Sequence, residues 1–109
     1  MSLDSLIANP GRLRILTALA AEPRMEFVPL RHLTQMTDGN LSAHAKRLHA
    51  GGLLAIDKQF RAGKPVTAYQ LTDAGRQALQ RHVNSLIAAM APGTAEATEE
   101  ASADEEWVD

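Results

Sequence analysis

The sequence predicts a mainly α fold with a small β-hairpin, on three observations. Residues 37–54, from Thr37 to Leu54, begin with helix-start chemistry, end on the Gly51-Gly52 pair and carry Leu41, Ala45 and Leu48 at i, i+4 and i+7. Two extended stretches, Leu53 to Phe60 and Pro65 to Leu71, flank the glycine-containing segment Arg61-Ala62-Gly63-Lys64. Further apolar residues recur at helical spacing before and after these segments.

In chain order, Leu3, Leu6 and Ile7 form a short apolar stripe. Asn9 followed by Pro10 is an N-cap and first-turn pair, and it predicts a helix from Pro10 to about Ala21 with Leu13, Leu16 and Ala20 on one face. Arg12 and Arg14 are expected in solvent. Glu22-Pro23 ends the helix, because proline cannot continue the hydrogen-bond ladder. Met25 to Val28 is expected to be extended, and Pro29 to open a second, two-turn helix with Leu30, Leu33 and Met36 inward. The helix of residues 37–54 follows at once. Two short helices joined by a tight turn are a helix-turn-helix.

The strands follow, with Leu54 and Ile56 on one face and Tyr69 and Leu71 matching them. Thr72-Asp73 is expected to cap a last helix reaching about Met90, and Asp73 suits its positive end. Leu79, Val83, Leu86 and Met90 are spaced 4, 3 and 4 apart, the seam of a coiled coil. Together with Leu3, Leu6 and Ile7 they are the expected dimer interface; the alternative is packing within one chain. From Ala91-Pro92-Gly93 onward the composition is Ala, Thr, Ser and acid, which buries too little to fold. This divides the chain into a domain of residues 1–91 and an acidic, disordered tail of residues 92–109. Trp107-Val108 in that tail is either a docking anchor or an incidental apolar pair.

Charge is segregated along the chain. Residues 1–91 hold all eleven Lys and Arg against six acids, net +5, whereas residues 92–109 carry −7. A basic body of this kind suggests a polyanion partner. The outward face of the helix after the turn carries Gly39, Asn40, Ser42, Ala43, Lys46 and Arg47, short and basic without a large apolar residue. An inward apolar stripe with such an outward face is how a DNA recognition helix is built. Asn40 and Ser42 can bond base edges or phosphates, and Lys46 and Arg47 are long enough for guanine or backbone. Lys58, Arg61 and Lys64 make the hairpin a basic wing, with Asp57 the only acid nearby in sequence. The predicted architecture is therefore a winged helix-turn-helix.

This order of elements resembles the winged-helix regulators of the MarR and ArsR kind. More closely it resembles a small stand-alone winged-helix DNA-binding family of bacteria and archaea. The resemblance is carried by Pro10-Gly11-Arg12-Leu13-Arg14-Ile15-Leu16, by Thr37-Asp38-Gly39-Asn40 with Leu41 to Leu48 and Gly52-Leu53, by Lys58 to Lys64, and by Thr67 to Arg76. It spans roughly residues 3–90 and implies a homodimeric transcriptional regulator of double-stranded DNA. Many such relatives sense a metal or a small molecule. Here the helix before the turn has Arg31-His32-Leu33, the chain has no cysteine, His44 and His49 fall on different helix faces, and His32 and His82 are isolated. No metal site or cofactor is expected, and no residue marks a pocket for a small-molecule effector.

Composition excludes other classes. No cysteine means no disulfide or thiolate chemistry, and no serine, histidine and carboxylate share a predicted face, so an enzyme is not expected. No apolar run reaches membrane-spanning length and the N-terminal residues lack a secretory pattern, so a cytoplasmic protein is expected. The rival reading is a winged-helix protein-interaction module, its DNA binding lost or held off by the acidic tail folding over the basic face.

Overall fold

The computed structural model describes residues 3–90, and the acidic segment with Trp107 lies outside the described residues, as does the side chain of Leu3. Five helices and three strands follow in the order α1 (Leu3–Ala8), α2 (Pro10–Ala21), β1 (Arg24–Glu26), α3 (Phe27–Thr34), α4 (Asp38–Ala50), β2 (Leu54–Arg61), β3 (Lys64–Leu71) and α5 (Asp73–Met90). The strands form one antiparallel sheet in the order β1-β3-β2. The sequence-based hairpin thus gains a third strand. Arg24, Met25 and Glu26 pair with Gln70, Tyr69 and Ala68, which satisfies the outer edge of β3.

Helix starts follow local chemistry. Asn9 Oδ1 accepts from the backbone N–H groups of Gly11 (2.9 Å) and Arg12 (3.1 Å), so α2 begins at Pro10 as expected. Thr37 Oγ1 accepts from Asn40 N at 3.1 Å and starts α4. Thr72 Oγ1 accepts from Gly75 N at 2.9 Å while donating to Gly52 O at 2.8 Å, so one hydroxyl caps α5 and ties it to the loop after α4. The second helix differs from expectation. It begins at Phe27 rather than Pro29, and Pro29 sits inside its first turn, where its missing N–H has no intrahelical partner to lose.

The core is aliphatic. Ile15, Leu16 and Leu19 of α2, Leu30 of α3, Leu41, Ala45 and Leu48 of α4, and Leu53 are each 0% exposed. Each large one contributes about 1.5–3 kcal/mol by leaving water. Leu6, Ile7 and Leu79, expected at a subunit interface, instead belong to this same intrachain core, and Val83 packs against its edge. The reason is that α5 packs on α1 and α2, so the first half of its apolar seam is covered by its own chain. Leu86 and Met90, with Ile87 beside them, stay exposed.

Arg12 also departs from expectation. It is buried, with Nε donating to Leu6 O at 2.6 Å and an Nη2 contact to Ser5 O at 3.5 Å. Arg14 is exposed and donates from Nη1 to Thr34 O at 3.1 Å. Each guanidinium satisfies carbonyls at the end of another helix, α1 for Arg12 and α3 for Arg14, where the helix dipole favours a cation.

The wing closes through Ala62 and Gly63, with φ of 53° and 77°. Two consecutive left-handed residues make the two-residue turn whose twist matches the paired strands. Arg61 and Lys64 are therefore the last paired residues of their strands rather than loop residues.

Gly75 is where α5 crosses the loop after α4, and an added Cβ would lie 2.1 Å from Leu53 O. A backbone oxygen cannot swing aside, so Gly75→Ala is expected to lower stability by about 1–3 kcal/mol in urea unfolding. An unchanged midpoint would mean that this crossing is looser than described.

Candidate nucleic-acid interface

The site is built on α4. Its inner stripe, Leu41, Ala45 and Leu48, is fully buried, which fixes the rotation of the helix about its axis. Gly39, Asn40, Ala43, Lys46 and Arg47 consequently face outward and are exposed, with Ser42 half-buried at the margin. A Cβ at Gly39 would meet nothing within 4 Å, so the backbone there is open to an approaching group. Arg31 Nε lies 3.0 Å from Asp38 Oδ1 and clips the end of α3 to the first turn of α4. Gln35, in the left-handed conformation with φ 58°, makes the turn between them.

The wing lies beside this helix, and strand alternation divides its side chains. Residues paired across the strands share a face, so Ile56 with Tyr69, Lys58 with Thr67, and Phe60 with Pro65 form one face. That face is turned to α4: Ser42 and Lys46 line a cleft of about 180 Å³ with Phe27, Ile56, Lys58, Thr67 and Tyr69. Arg61 and Lys64 belong to the opposite face. The expected single row of Lys58, Arg61 and Lys64 is therefore two groups, because adjacent odd and even positions point to opposite sides.

Glu26, an acid that the sequence did not place near the wing, neutralises part of it. Arg61 makes a bidentate pair with Glu26, Nη1 to Oε1 at 3.2 Å and Nη2 to Oε2 at 2.5 Å. That pair holds the Glu26 carboxyl below its usual range, by hydrogen bonding first, and raises Arg61 further. Arg24 binds Asp57 at 2.7 Å. Both acid–base contacts are long-range in sequence, so only β1 docking on β3 creates them. Lys46, Arg47, Lys58 and Lys64 take part in no ion pair among the described residues.

His44 sits on the margin of α4 toward α2. Its Nδ1 is 3.5 Å from Arg12 Nη1, and a Cβ on Gly11 would come within 2.9 Å of its Nε2. Burial, then the charges of Arg12 and Arg47, lower its pKa below the ordinary 6.5. This is a packing position. His49 Nδ1 lies 2.9 Å from Leu54 O, joining the end of α4 to β2. Among the described residues no group of three or more His, Cys, Asp and Glu side chains comes together to hold a metal. No helix of the described residues is long and apolar enough to cross a membrane.

Sequence reasoning missed two features of this surface. Phe27 forms part of the cleft, its ring centroid 6.3 Å from that of Tyr69, and Phe60 is 78% exposed on the face of the wing that carries Lys58. The alternation Leu54, Ile56, Lys58, Phe60 was legible and pointed to the second; nothing local pointed to the first.

The chain is similar to known proteins in sequence and in fold. The family described as winged helix DNA-binding domain matches residues 12–90. An uncharacterised protein of Methanocaldococcus jannaschii is 30% identical over 76 residues, covering 70% of this chain and 83% of that one. A transcriptional regulator homologue from Pyrococcus horikoshii superposes with a TM-score of 0.73 at 30% identity, covering 78% of this chain and 84% of that one. A MarR-family transcriptional regulator from Silicibacter pomeroyi shares the fold, with a TM-score of 0.62 at 21% identity over 87% of this chain and 63% of that one.

A titration tests the His44 environment. With its folded pKa depressed, His44 resists a proton that the unfolded chain accepts. Stability is therefore full above pH 6.5 and falls as pH drops through the ordinary histidine value toward the lower folded one. His44→Gln is expected to flatten the fall in urea midpoint between about pH 7 and 5. An unaltered slope would show that His44 is not its source.

Proposed function

The chain belongs to the winged helix DNA-binding domain family, and from that premise we propose that it is a homodimeric transcriptional regulator that places α4 in the major groove of double-stranded DNA. The observation that carries the reading is the division of α4. One side is locked at 0% exposure by Leu41, Ala45 and Leu48, and the other presents Gly39, Asn40, Ala43, Lys46 and Arg47 to solvent. Asn40 and Ser42 reach base edges or phosphates, and Lys46 and Arg47 reach guanine or backbone. The open first turn of α4 suits a phosphate. Lys58 on the near face of the wing adds attraction to backbone or minor groove. Lys64 extends it at the tip, and Arg61 contributes less because Glu26 already occupies it.

The dimer uses the exposed end of α5. Leu86, Ile87 and Met90 are 45%, 61% and 77% exposed, an apolar end on an otherwise polar stretch of helix. A second copy of the same surface covers them in an isologous contact, with half-sites about one turn of DNA apart. Leu6, Ile7 and Leu79 support that helix from within and do not themselves meet the partner.

Fluorescence anisotropy of labelled duplex DNA at two salt concentrations tests the reading. Selective binding that weakens steeply with salt is expected. Lys46→Ala and Arg47→Ala should each cost ~1–3 kcal/mol. Lys58→Ala should weaken binding more than Arg61→Ala. A loss below about twofold in the Lys46, Arg47 double variant, with folding intact, removes α4 as the reading helix. Leu86→Asp with Met90→Asp should shift sedimentation from dimer to monomer without changing the circular dichroism of the fold. A dimer that survives both substitutions places the interface elsewhere.

A further inference from the structure

We propose that the cleft between α4 and the sheet is the docking site of the chain's own acidic segment Glu105-Glu106-Trp107-Val108-Asp109, which thereby covers Ser42, Lys46 and Lys58. Its consequence for DNA binding rests on the reading above; the docking itself does not.

The cleft has the chemistry of an acidic-aromatic ligand. Its apolar lining is Phe27, Ile56 and Tyr69, its rim carries Lys46 and Lys58, and its volume is about 180 Å³. Cavities of about 150 Å³ accept a benzene ring, so the space is on the scale of one aromatic side chain. An indole entering it rests on apolar side chains with ammonium groups beside its face, the arrangement that favours tryptophan over other rings.

The charges that would otherwise satisfy this rim are engaged elsewhere. Glu26, Asp57 and Asp38 pair with Arg61, Arg24 and Arg31 respectively. The cationic rim is thus left to an anion from outside the described residues. Residues 92–109 supply seven acids, and the chain's single tryptophan sits among four of them at Glu105, Glu106, Asp109 and nearby Asp104. Both halves of the complementarity, an aromatic for the floor and carboxylates for the rim, fall in one five-residue run.

Reach is sufficient. The path from Met90 back along the 18 residues of α5 is ~27 Å at 1.5 Å per residue. Continuing from Asp73 through Leu71 to Thr67 on β3 adds up to ~20 Å. The seventeen residues 91–107 span up to ~56–61 Å when extended. The segment therefore arrives at the cleft with slack to spare, in its own subunit.

Trp107 is the chain's own reporter, since no other tryptophan contributes to emission. In the full chain at low salt, its emission should be blue-shifted and its acrylamide quenching severalfold weaker than in a synthetic peptide of residues 95–109. Lys46→Ala with Lys58→Ala, in the full chain, should return both to the peptide values while circular dichroism stays unchanged. Trp107→Ala should tighten DNA binding at low salt, about fivefold if the segment is docked about 80% of the time. Peptide-like quenching in the unsubstituted chain overturns the proposal whatever the DNA result. Shielding that ignores the two lysine substitutions overturns the site, and unchanged DNA affinity in Trp107→Ala overturns the competition. If no variant binds DNA, the DNA-binding reading fails while the fluorescence still decides the docking.

Discussion

The burial of one stripe of α4 governs everything the protein presents on its surface. Leu41, Ala45 and Leu48 are inserted among Ile15, Leu16, Leu19, Leu30 and Leu53, all inaccessible to solvent. Rolling the helix would expose these fully buried side chains and open voids in the aliphatic core, so its orientation is held. Fixing the inner face fixes the outer one, so a polar and basic surface is held in one orientation at no cost in loop entropy. Thr37 at one end and the Arg31–Asp38 contact beside it hold the first turn, where backbone N–H groups are open.

Around that helix, several polar groups act as ties between elements rather than as surface. Arg12 and Arg14 reach the carbonyl ends of α1 and α3, Thr72 joins α5 to the loop after α4, and His49 joins α4 to β2. The two arginine ties satisfy helix-end carbonyls that the ladder leaves unpaired. His44 is packed against the start of α2, so α4 and the first long helix meet through a side chain whose protonation is disfavoured there.

The electrostatics of the surface follow from which cations are matched and which are not. Arg24, Arg31 and Arg61 have carboxylate partners, whereas Lys46, Arg47, Lys58 and Lys64 have none among the described residues. Exposed ion pairs contribute little to stability. Their larger effect here is to remove three arginines from the pool available to a polyanion, which leaves Lys46, Arg47, Lys58 and Lys64 as the unpaired charge of α4 and the wing. The cleft between those two elements inherits both the charge and an aromatic lining.

Much of this was legible in sequence because it is local. Asn9-Pro10, Thr37-Asp38 and Thr72-Asp73 mark helix starts by side-chain capping. Leu41, Ala45 and Leu48 mark the inner face of α4 by spacing, and the segment Arg61-Ala62-Gly63-Lys64 marks the turn of the wing by the backbone freedom of its glycine. The second helix was misplaced by two residues because Pro29 is compatible with any position in a first turn; the extended stretch before it was expected at Met25 to Val28 and is the strand Arg24–Glu26, whose pairing with β3 no local pattern shows. The alternation of the wing, which separates Lys58 from Arg61 and Lys64, was in the sequence but was outweighed by their proximity along the chain.

By itself the sequence determined the order of the elements, the rotation of α4 and the division of charge between residues 1–91 and 92–109, since these depend on neighbours three or four positions apart or on composition. Only the tertiary structure decided that Arg12 is buried, that Glu26 neutralises Arg61, that Leu6, Ile7 and Leu79 face their own core, and that Phe27, Ile56 and Tyr69 meet Lys46 and Lys58 around one cleft. These contacts join residues far apart in the chain. Whether an apolar or charged side chain is covered depends on which other element packs over it, and no local pattern carries that information.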